Sequence, residues 1–393
     1  MRDVGLRARV AARMLRTMST AKKNRALREM AKAILARRSQ IEAANAEDLA
    51  ADLPDAKKDR LRIDVDAVAR GLRDVAGLPD PVGRVEKRRP KGRFRLFRVR
   101  VPIGVVLFIY EARPGVTAEA AALCLKSGNA VILKGGSEAR HTNAALFEAM
   151  KGSIPDGAIQ LVTGGHDEVS ALLAMDDSID LVIPRGGEGL IRAVAAQTKI
   201  PVLKHFRGNC HVYVDRRADL DMAFRVLENA KCQRPATCNA AEKVIVHADV
   251  APAFVPRLAA LNVELRGDSR ARALLPMKAA TDADWNEEYL DRILAVRIVG
   301  SPDEAIAHIE RHGSHHTDAI VTRDRAAARR FLAEVDSATV LWNASTRLAD
   351  GGVFGLGAEV GISTDKLHAR GPMGLEEMTT YKWVVEGNGD LRE

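Results

Sequence analysis

The stretch Leu125-Lys126-Ser127-Gly128-Asn129-Ala130-Val131-Ile132-Leu133-Lys134-Gly135-Gly136-Ser137-Glu138 sets the frame for the whole chain. Ala130 to Leu133 is a short apolar run, suited to a strand buried on both faces. Ser127-Gly128-Asn129 closes an alanine-rich helix predicted over 117–126. Gly135-Gly136 breaks the strand, and a second helical pattern runs to Met150. The same order recurs twice: 159–162 leads to Gly164-Gly165, and 181–183 leads to Gly186-Gly187, each followed by a helical pattern. Upstream, 105–110 reads as a further strand. Strands alternating with helices predict a parallel sheet with crossover helices. Ligands in such sheets gather at the carboxyl ends of strands, where these glycines lie.

Outward from this unit, residues 1–75 read as helical, with Ala, Leu, Arg and Met at three- and four-residue spacing. From about Cys232 a second alternating series begins. It predicts strands at 244–246, 297–299, 319–321 and 339–341 and helices at 251–261, 302–311 and 325–335. The fold class is therefore α/β with two parallel-sheet domains. With 393 residues and 47% hydrophobic side chains, the chain can bury large cores, and 4% aromatics make those cores aliphatic. The best apolar run, 101–110, stops at Glu111, short of the roughly 18–20 residues of a membrane span. No secretory pattern is visible at the N-terminus, and four cysteines do not make a disulfide framework, so a reducing, cytoplasmic compartment is expected.

The net charge is +8, and it is concentrated. Nine basic residues against Glu86 lie between Arg84 and Arg100, which accounts for the whole excess. Pro90-Lys91-Gly92 reads as a turn, and Arg93 to Arg100 nearly alternates charged with apolar, so this element is a β-hairpin with one wet face. Phe94 and Phe97 would permit base stacking, but a solvated face or an oligomer contact accounts for the pattern better than a nucleic-acid site.

Chemistry concentrates in a few places. Diglycine turns after strands suit a nucleotide phosphate lying on backbone N–H groups, although ordinary tight turns look the same. Lys134 adds a cation beside one of them. Cys238, in Gln233-Arg234-Pro235-Ala236-Thr237-Cys238-Asn239, lies at the predicted junction of the two domains, where clefts form. Lys231 and Arg234 would favour its thiolate, a nucleophile able to hold an acyl group as a thioester. Composition alone favours a buried structural thiol. No metal site is predicted: Cys232 and Cys238 lack zinc spacing, and alternation puts Cys210 and His211 on opposite faces.

The matches that run in order along the chain include Tyr110-Glu111-Ala112-Arg113-Pro114, the 125–138 stretch, Pro184-Arg185-Gly186-Gly187-Glu188, Gln233-Arg234-Pro235 to Cys238-Asn239-Ala240-Ala241-Glu242, Asn343-Ala344-Ser345-Thr346-Arg347 and Phe354-Gly355-Leu356-Gly357-Ala358-Glu359. Together they resemble the γ-glutamyl phosphate reductases of the aldehyde dehydrogenase superfamily over nearly the whole chain. The resemblance implies a cofactor-binding domain (1–83 and 101–230, with part of 355–378), a catalytic domain (231–354) and a β oligomerisation element (84–100 and 379–393). It implies Cys238 as nucleophile. It also implies Lys134, Gly135, Gly136, Gly186, Gly187, Glu188 and Glu288 as contacts of NADP(H). Arg113 falls where aldehyde-oxidising relatives keep an oxyanion-donating Asn, and a guanidinium suits a doubly charged acyl phosphate. Arg347 is the candidate for a substrate carboxylate or phosphate, with a structural ion pair equally open. His205 falls where those relatives keep a water-activating Glu, which a phosphate-releasing reductase does not need. Cys232 departs from the family pattern and raises the idea of an oxidative cross-link to Cys238.

The expected activity is NADPH-dependent reduction of L-γ-glutamyl 5-phosphate to L-glutamate 5-semialdehyde in proline biosynthesis. Expected partners are the small-molecule substrate and further copies of the chain, as a dimer or tetramer. A labile acyl phosphate also suggests contact with glutamate 5-kinase upstream. Nucleic acid and membrane are not expected partners. The competing readings are an aldehyde oxidiser that needs no phosphate and a surface-binding protein using the 84–100 hairpin.

Overall fold

Val105–Tyr110 consists of five aliphatic or phenyl side chains and a tyrosine, and all six residues are buried. Only a central strand covered on both faces accommodates such a run. In the computed structural model, which describes residues 1–90 and 92–392, it is the third strand of a four-stranded sheet ordered Ile159–Leu161, Ala130–Gly135, Val105–Tyr110, Leu181–Arg185. All three pairings are parallel, with Val105 opposite Ala130 and Val106 opposite Leu181. The helices Gly115–Lys126 and Arg140–Met150 follow as crossovers, the first as the alanine-rich pattern predicts and the second after the Gly135-Gly136 break. The N-terminal helices Arg2–Arg16, Thr20–Ala36 and Val65–Gly77 contribute Leu15, Leu27, Met30 and Leu72 to the same core. Val360, Ala369, Met373, Leu375 and Met378 return to it from the C-terminal part of the chain, within the segment assigned to this domain.

The second layer is a seven-stranded sheet, all of its pairings parallel. Its order is Lys278–Ala279, Glu264–Gly267, Ile293–Val299, Ala241–His247, Cys210–Val214, Thr317–Val321, Thr339–Trp342. Here the boundary expected at residue 231 needs correction. Cys210–Val214 lies near the centre of this sheet, and helix Leu220–Cys232 packs Ala223, Leu227 and Ala230 on its core, so the second unit begins before Cys210. The two strands at one edge, Glu264–Gly267 and Lys278–Ala279, have no counterpart in the sequence pattern. They are short and carry Glu, Gly, Lys and Ala, poor strand formers, with Leu265 alone turned into the core. The helix expected over 251–261 is divided into Ala251–Phe254 and a 3₁₀ stretch Val255–Leu261, because Pro256 removes a donor within it.

Val85–Arg88, Arg95–Pro102 and Thr379–Glu386 form a separate antiparallel sheet, with Val85 opposite Val99 and Tyr381 opposite Arg100. The hairpin thus exists and pairs with the C-terminal strand of its own chain. The Pro90-Lys91-Gly92 turn includes Lys91, which lies outside the described residues. Among the described residues no helix is long and apolar enough to cross a membrane.

Candidate active site

The two sheets present opposite strand ends to one place. Tyr110, Gly135 and Arg185 end strands of the four-stranded sheet, whereas Cys210, Ala241 and Thr317 begin strands of the seven-stranded one. The carboxyl-end rule therefore locates half of the site. The other half comes from loops entering strands.

Cys238 sits in such a loop, between helix Leu220–Cys232 and strand Ala241–His247. A buried ion pair staples the base of that loop: Lys231 Nζ donates to Glu242 at 3.0 Å, with both side chains 0% exposed. The lysine expected to favour the thiolate is thus committed to Glu242. Burial pushes the Cys238 thiol up to about 11, and Arg185, at the end of a strand of the other sheet, is the largest charge opposing that. Glu288 and Glu359 act the other way.

Gly208 holds the Cys238 loop from the opposite side. A Cβ at this position would lie 1.8 Å from the Cys238 carbonyl oxygen, so only glycine permits the approach. Its N–H donates to Glu288 Oε1 at 2.8 Å, and the Cys210 thiol donates to the Cys238 carbonyl at 3.2 Å. Glu288 is therefore linked to the Cys238 loop through Gly208, with its second oxygen outside that bond.

Arg113 and Arg185 line a cleft of about 450 Å³ together with Arg60, Glu119 and Glu359. Burial lowers the Arg113 pKa, and repulsion from Arg185 and Arg60 lowers it further, with no hydrogen bond among the described residues offsetting them. Cations gathered in this way would be relieved by an anion. Ala112 (φ 43°), Leu290 (φ 52°) and His315 (φ 57°) hold left-handed backbone beside Arg113, Glu288 and His316, the pattern of strain concentrated at a working site.

Arg347 braces the Cys238 loop. Its Nε donates to Gln233 Oε1 at 2.8 Å, and Nη1 donates to Asn239 Oδ1. Asn239 in turn donates to the Ala349 carbonyl at 3.0 Å. Cys232 instead turns its thiol to the Leu261 carbonyl at 3.6 Å, against the core of the seven-stranded layer, and all four cysteines are free.

On the cofactor side, Lys134 is buried, and among the described residues its Nζ donates only to the neighbouring Gly135 carbonyl at 3.1 Å. Glu188 begins helix Glu188–Gln197 and is held by Arg207 at 2.6 Å and Arg192 at 2.7 Å. The amides expected to seat a phosphate already face carboxylates of the chain. Gly187 N–H donates to Glu111 at 2.9 Å, and Gly165 N–H to Glu168 at 2.7 Å. Gly136 has no room for a side chain because the Glu138 carboxylate lies over it, where it accepts from Ala112 N–H at 2.6 Å.

Two histidines lie beside the thiol. His205 and His316 rings are 5.6 Å apart, edge to face, and each offers a nitrogen to a cluster that includes Cys238. Burial drives both pKa values down, to about 4 for His205 and about 3 for His316, so both rings are neutral. Sequence reasoning placed His205 near the thiol and missed His316, Arg185 and Gly208. Arg185 carried a readable signal: like Lys134 it is a cation ending a strand just before a diglycine.

The sequence profile of the Aldehyde dehydrogenase family matches residues 4–295. The γ-glutamyl phosphate reductase of Moorella thermoacetica is 51% identical over 409 residues, covering 99% of this chain and 98% of that one. The chain belongs to the aldehyde dehydrogenase family, among its γ-glutamyl phosphate reductases. The crystal structure of the γ-glutamyl phosphate reductase from Thermotoga maritima superimposes with a TM-score of 0.97 at 41% identity, covering 100% of this chain and 99% of that one. A probable aldehyde dehydrogenase from Listeria monocytogenes, at 15% identity and a TM-score of 0.72 over 99% and 97% of the two chains, shares the fold. Within the aldehyde dehydrogenase family the cofactor is a nicotinamide dinucleotide. The Lys134 ammonium and the second oxygen of Glu288 are groups able to meet its hydroxyls and phosphates.

Proposed function

We propose that this chain reduces L-γ-glutamyl 5-phosphate to L-glutamate 5-semialdehyde and phosphate with NADPH, through a thioester on Cys238, in proline biosynthesis. The observation that carries the reading is the Cys238 thiol facing the charges of Arg185 and Arg113, two cations that themselves line a cleft of a small substrate's size. Arg113 and Arg185 attract the acyl phosphate and neutralise its charge. Cys238 Sγ then bonds to the acyl carbon, the bond from that carbon to the phosphate oxygen breaks, and the thiol proton passes to the departing phosphate. Arg113 and the Cys238 backbone N–H hold the oxyanion formed on the way. When bound, the nicotinamide cofactor supplies the hydride that takes the thioester to the aldehyde level. Lys134, Gly135, Gly136, Gly186, Gly187, Glu188 and Glu288 form the cofactor side, with Glu288 positioned by its bond to Gly208. Breaking the carbon–sulfur bond returns the thiol.

His205 protects the intermediate by being a weak base. A ring held near 4 takes few protons from water, so the thioester waits for hydride instead of hydrolysing. Arg347 acts by holding the loop through Gln233 and Asn239. The three-stranded sheet exposes Tyr381, Trp383 and Val385, which suits self-association into a dimer or tetramer.

The test is the reverse reaction. Pyrroline-5-carboxylate, in equilibrium with the semialdehyde, is mixed with NADP⁺ and phosphate, and reduced cofactor is followed by absorbance. Phosphate-dependent reduction lost in Cys238→Ala supports the reading. Turnover without phosphate would make the chain an aldehyde oxidiser.

A further inference from the structure

The reaction leaves one feature of the site without a use. His316 is fully buried and its Nε2 has no hydrogen-bond partner among the described residues. An unsatisfied ring nitrogen in the interior is costly and calls for a partner. His316, His205 and Cys238 each offer one ligand atom, and these three atoms lie within 4.8 Å of one another. We propose that this triad is a binding site for a thiophilic divalent cation, zinc foremost, that caps the nucleophile and switches the enzyme off.

The donor set is that of an open zinc site: three protein ligands, soft sulfur and borderline nitrogen, with a fourth position left for water. Zinc bond lengths of about 2.3 Å to sulfur and about 2.0–2.1 Å to nitrogen require the donors to draw together by about 1 Å, within reach of side-chain rotation. The outer shell is already built. His205 Nδ1 donates to the Ile362 carbonyl at 2.9 Å, which fixes its tautomer and leaves Nε2 with the lone pair. His316 Nδ1 is held by the Thr317 hydroxyl at 2.9 Å. Both rings are thereby aimed by their second nitrogens. Charges around the site divide: Arg185, near Cys238 and His205, and Arg113, near Cys238, oppose a cation, while Glu288, Glu359 and Asp365 favour one. On binding, the S–H bond breaks, its proton passes to solvent, the sulfur–zinc bond forms and aquo ligands leave. No electron is transferred. The ion is an inhibitor here, since it occupies the sulfur that must attack substrate.

The measurement uses untagged, metal-free full-length protein titrated with Co²⁺ and then Zn²⁺. One equivalent of Co²⁺ should give tetrahedral visible bands with a thiolate charge-transfer band, all displaced by Zn²⁺. Zinc content should be one per chain, and reverse turnover should fall with zinc and recover with chelator. Cys238→Ala and His316→Gln should each lose the site. Since a buried His316→Gln could unfold the protein, Thr317→Val is the second variant. It keeps all three ligands and should weaken binding about ten- to hundredfold by loosening the His316 ring. A cobalt spectrum without the thiolate band, no bound equivalent in wild type, or equal affinity in wild type, His316→Gln and Thr317→Val would overturn the proposal. The inhibition rests on Cys238 being the nucleophile, but the binding readouts do not. Zinc bound by a protein without phosphate-dependent turnover would sink the functional reading alone.

Discussion

Gly208→Ala tests the geometry that positions Cys238, the proposed nucleophile. The added methyl would sit 1.8 Å from the Cys238 carbonyl oxygen, 2.5 Å from its carbon and 2.6 Å from Cα. All three are backbone atoms, so no flexible side chain can swing away. Opening the closest contact even to the 3.0 Å below which real Cβ atoms essentially never come requires a shift of at least 1.2 Å. The Gly208 N–H is tied to Glu288 and the Cys238 carbonyl to the Cys210 thiol, so that shift passes to the cofactor side as well as to the sulfur. A misplacement of about 1 Å costs on the order of a hundredfold in rate. Overpacking of this kind destabilises by about 1–3 kcal/mol. The assay is the phosphate-dependent reverse reaction beside thermal unfolding, with saturating substrates so that kcat is read. A loss of about a hundredfold or more in kcat with a lower melting midpoint is expected. Activity within about threefold of wild type, against that hundredfold scale, would refute the claim that the Gly208 contact sets the position of Cys238.

Arg113→Gln should lower kcat/KM by about 10²–10³-fold with little change in melting, because no protein hydrogen bond is lost and one charged oxyanion donor is; equal turnover would remove Arg113 from the substrate site. Lys231→Met removes the one cation at hydrogen-bond distance from buried Glu242, leaving it the Lys243 charge and the Leu290 N–H, and should cost up to about 3–5 kcal/mol, read from denaturant unfolding. The double variant Lys231→Met/Glu242→Leu should recover part of that, and a double variant worse than either single would contradict the pairing. Gly71, inside helix Val65–Gly77, has nothing within 4 Å of the position a Cβ would take, so Gly71→Ala should stabilise by about 0.5–1 kcal/mol in the same measurement. Asp336 is held down to about 2 by its ion pairs with Lys366 and Arg370. Its folded value lies below its ordinary one, so the stability it contributes is present above about pH 4 and is lost as pH falls through about 2. The difference between wild type and Asp336→Asn in acid unfolding should close across that window, and a constant difference down to about pH 2 would exclude the pair as its source.

Local signals carried much of the fold because they are local in origin. The apolar run 105–110 and the strand–diglycine–helix repeats dictate buried strands and crossovers wherever they occur, and the parallel four-stranded sheet follows. Family resemblance carried Cys238, Arg113, Lys134 and Glu288 as candidate site residues; the folded chain lines a cleft with Arg113 and ties Glu288 to Gly208 beside the Cys238 loop, while Lys134 stands apart on the Gly135 carbonyl. Tertiary structure alone decided the rest. Strand Cys210–Val214 is short and interrupted by the polar His211, yet pairing on both edges places it near the centre of the second sheet. Lys231 is near Cys238 in sequence, but a buried carboxylate claims its charge, and the cation that faces the thiol is Arg185, on a different sheet. His205, Cys238 and His316 span more than a hundred positions, and no spacing rule links them. Sequence periodicity reports which faces of an element are buried. Which charges and ring nitrogens then meet depends on how the two sheets pack, and that is a property of the folded chain.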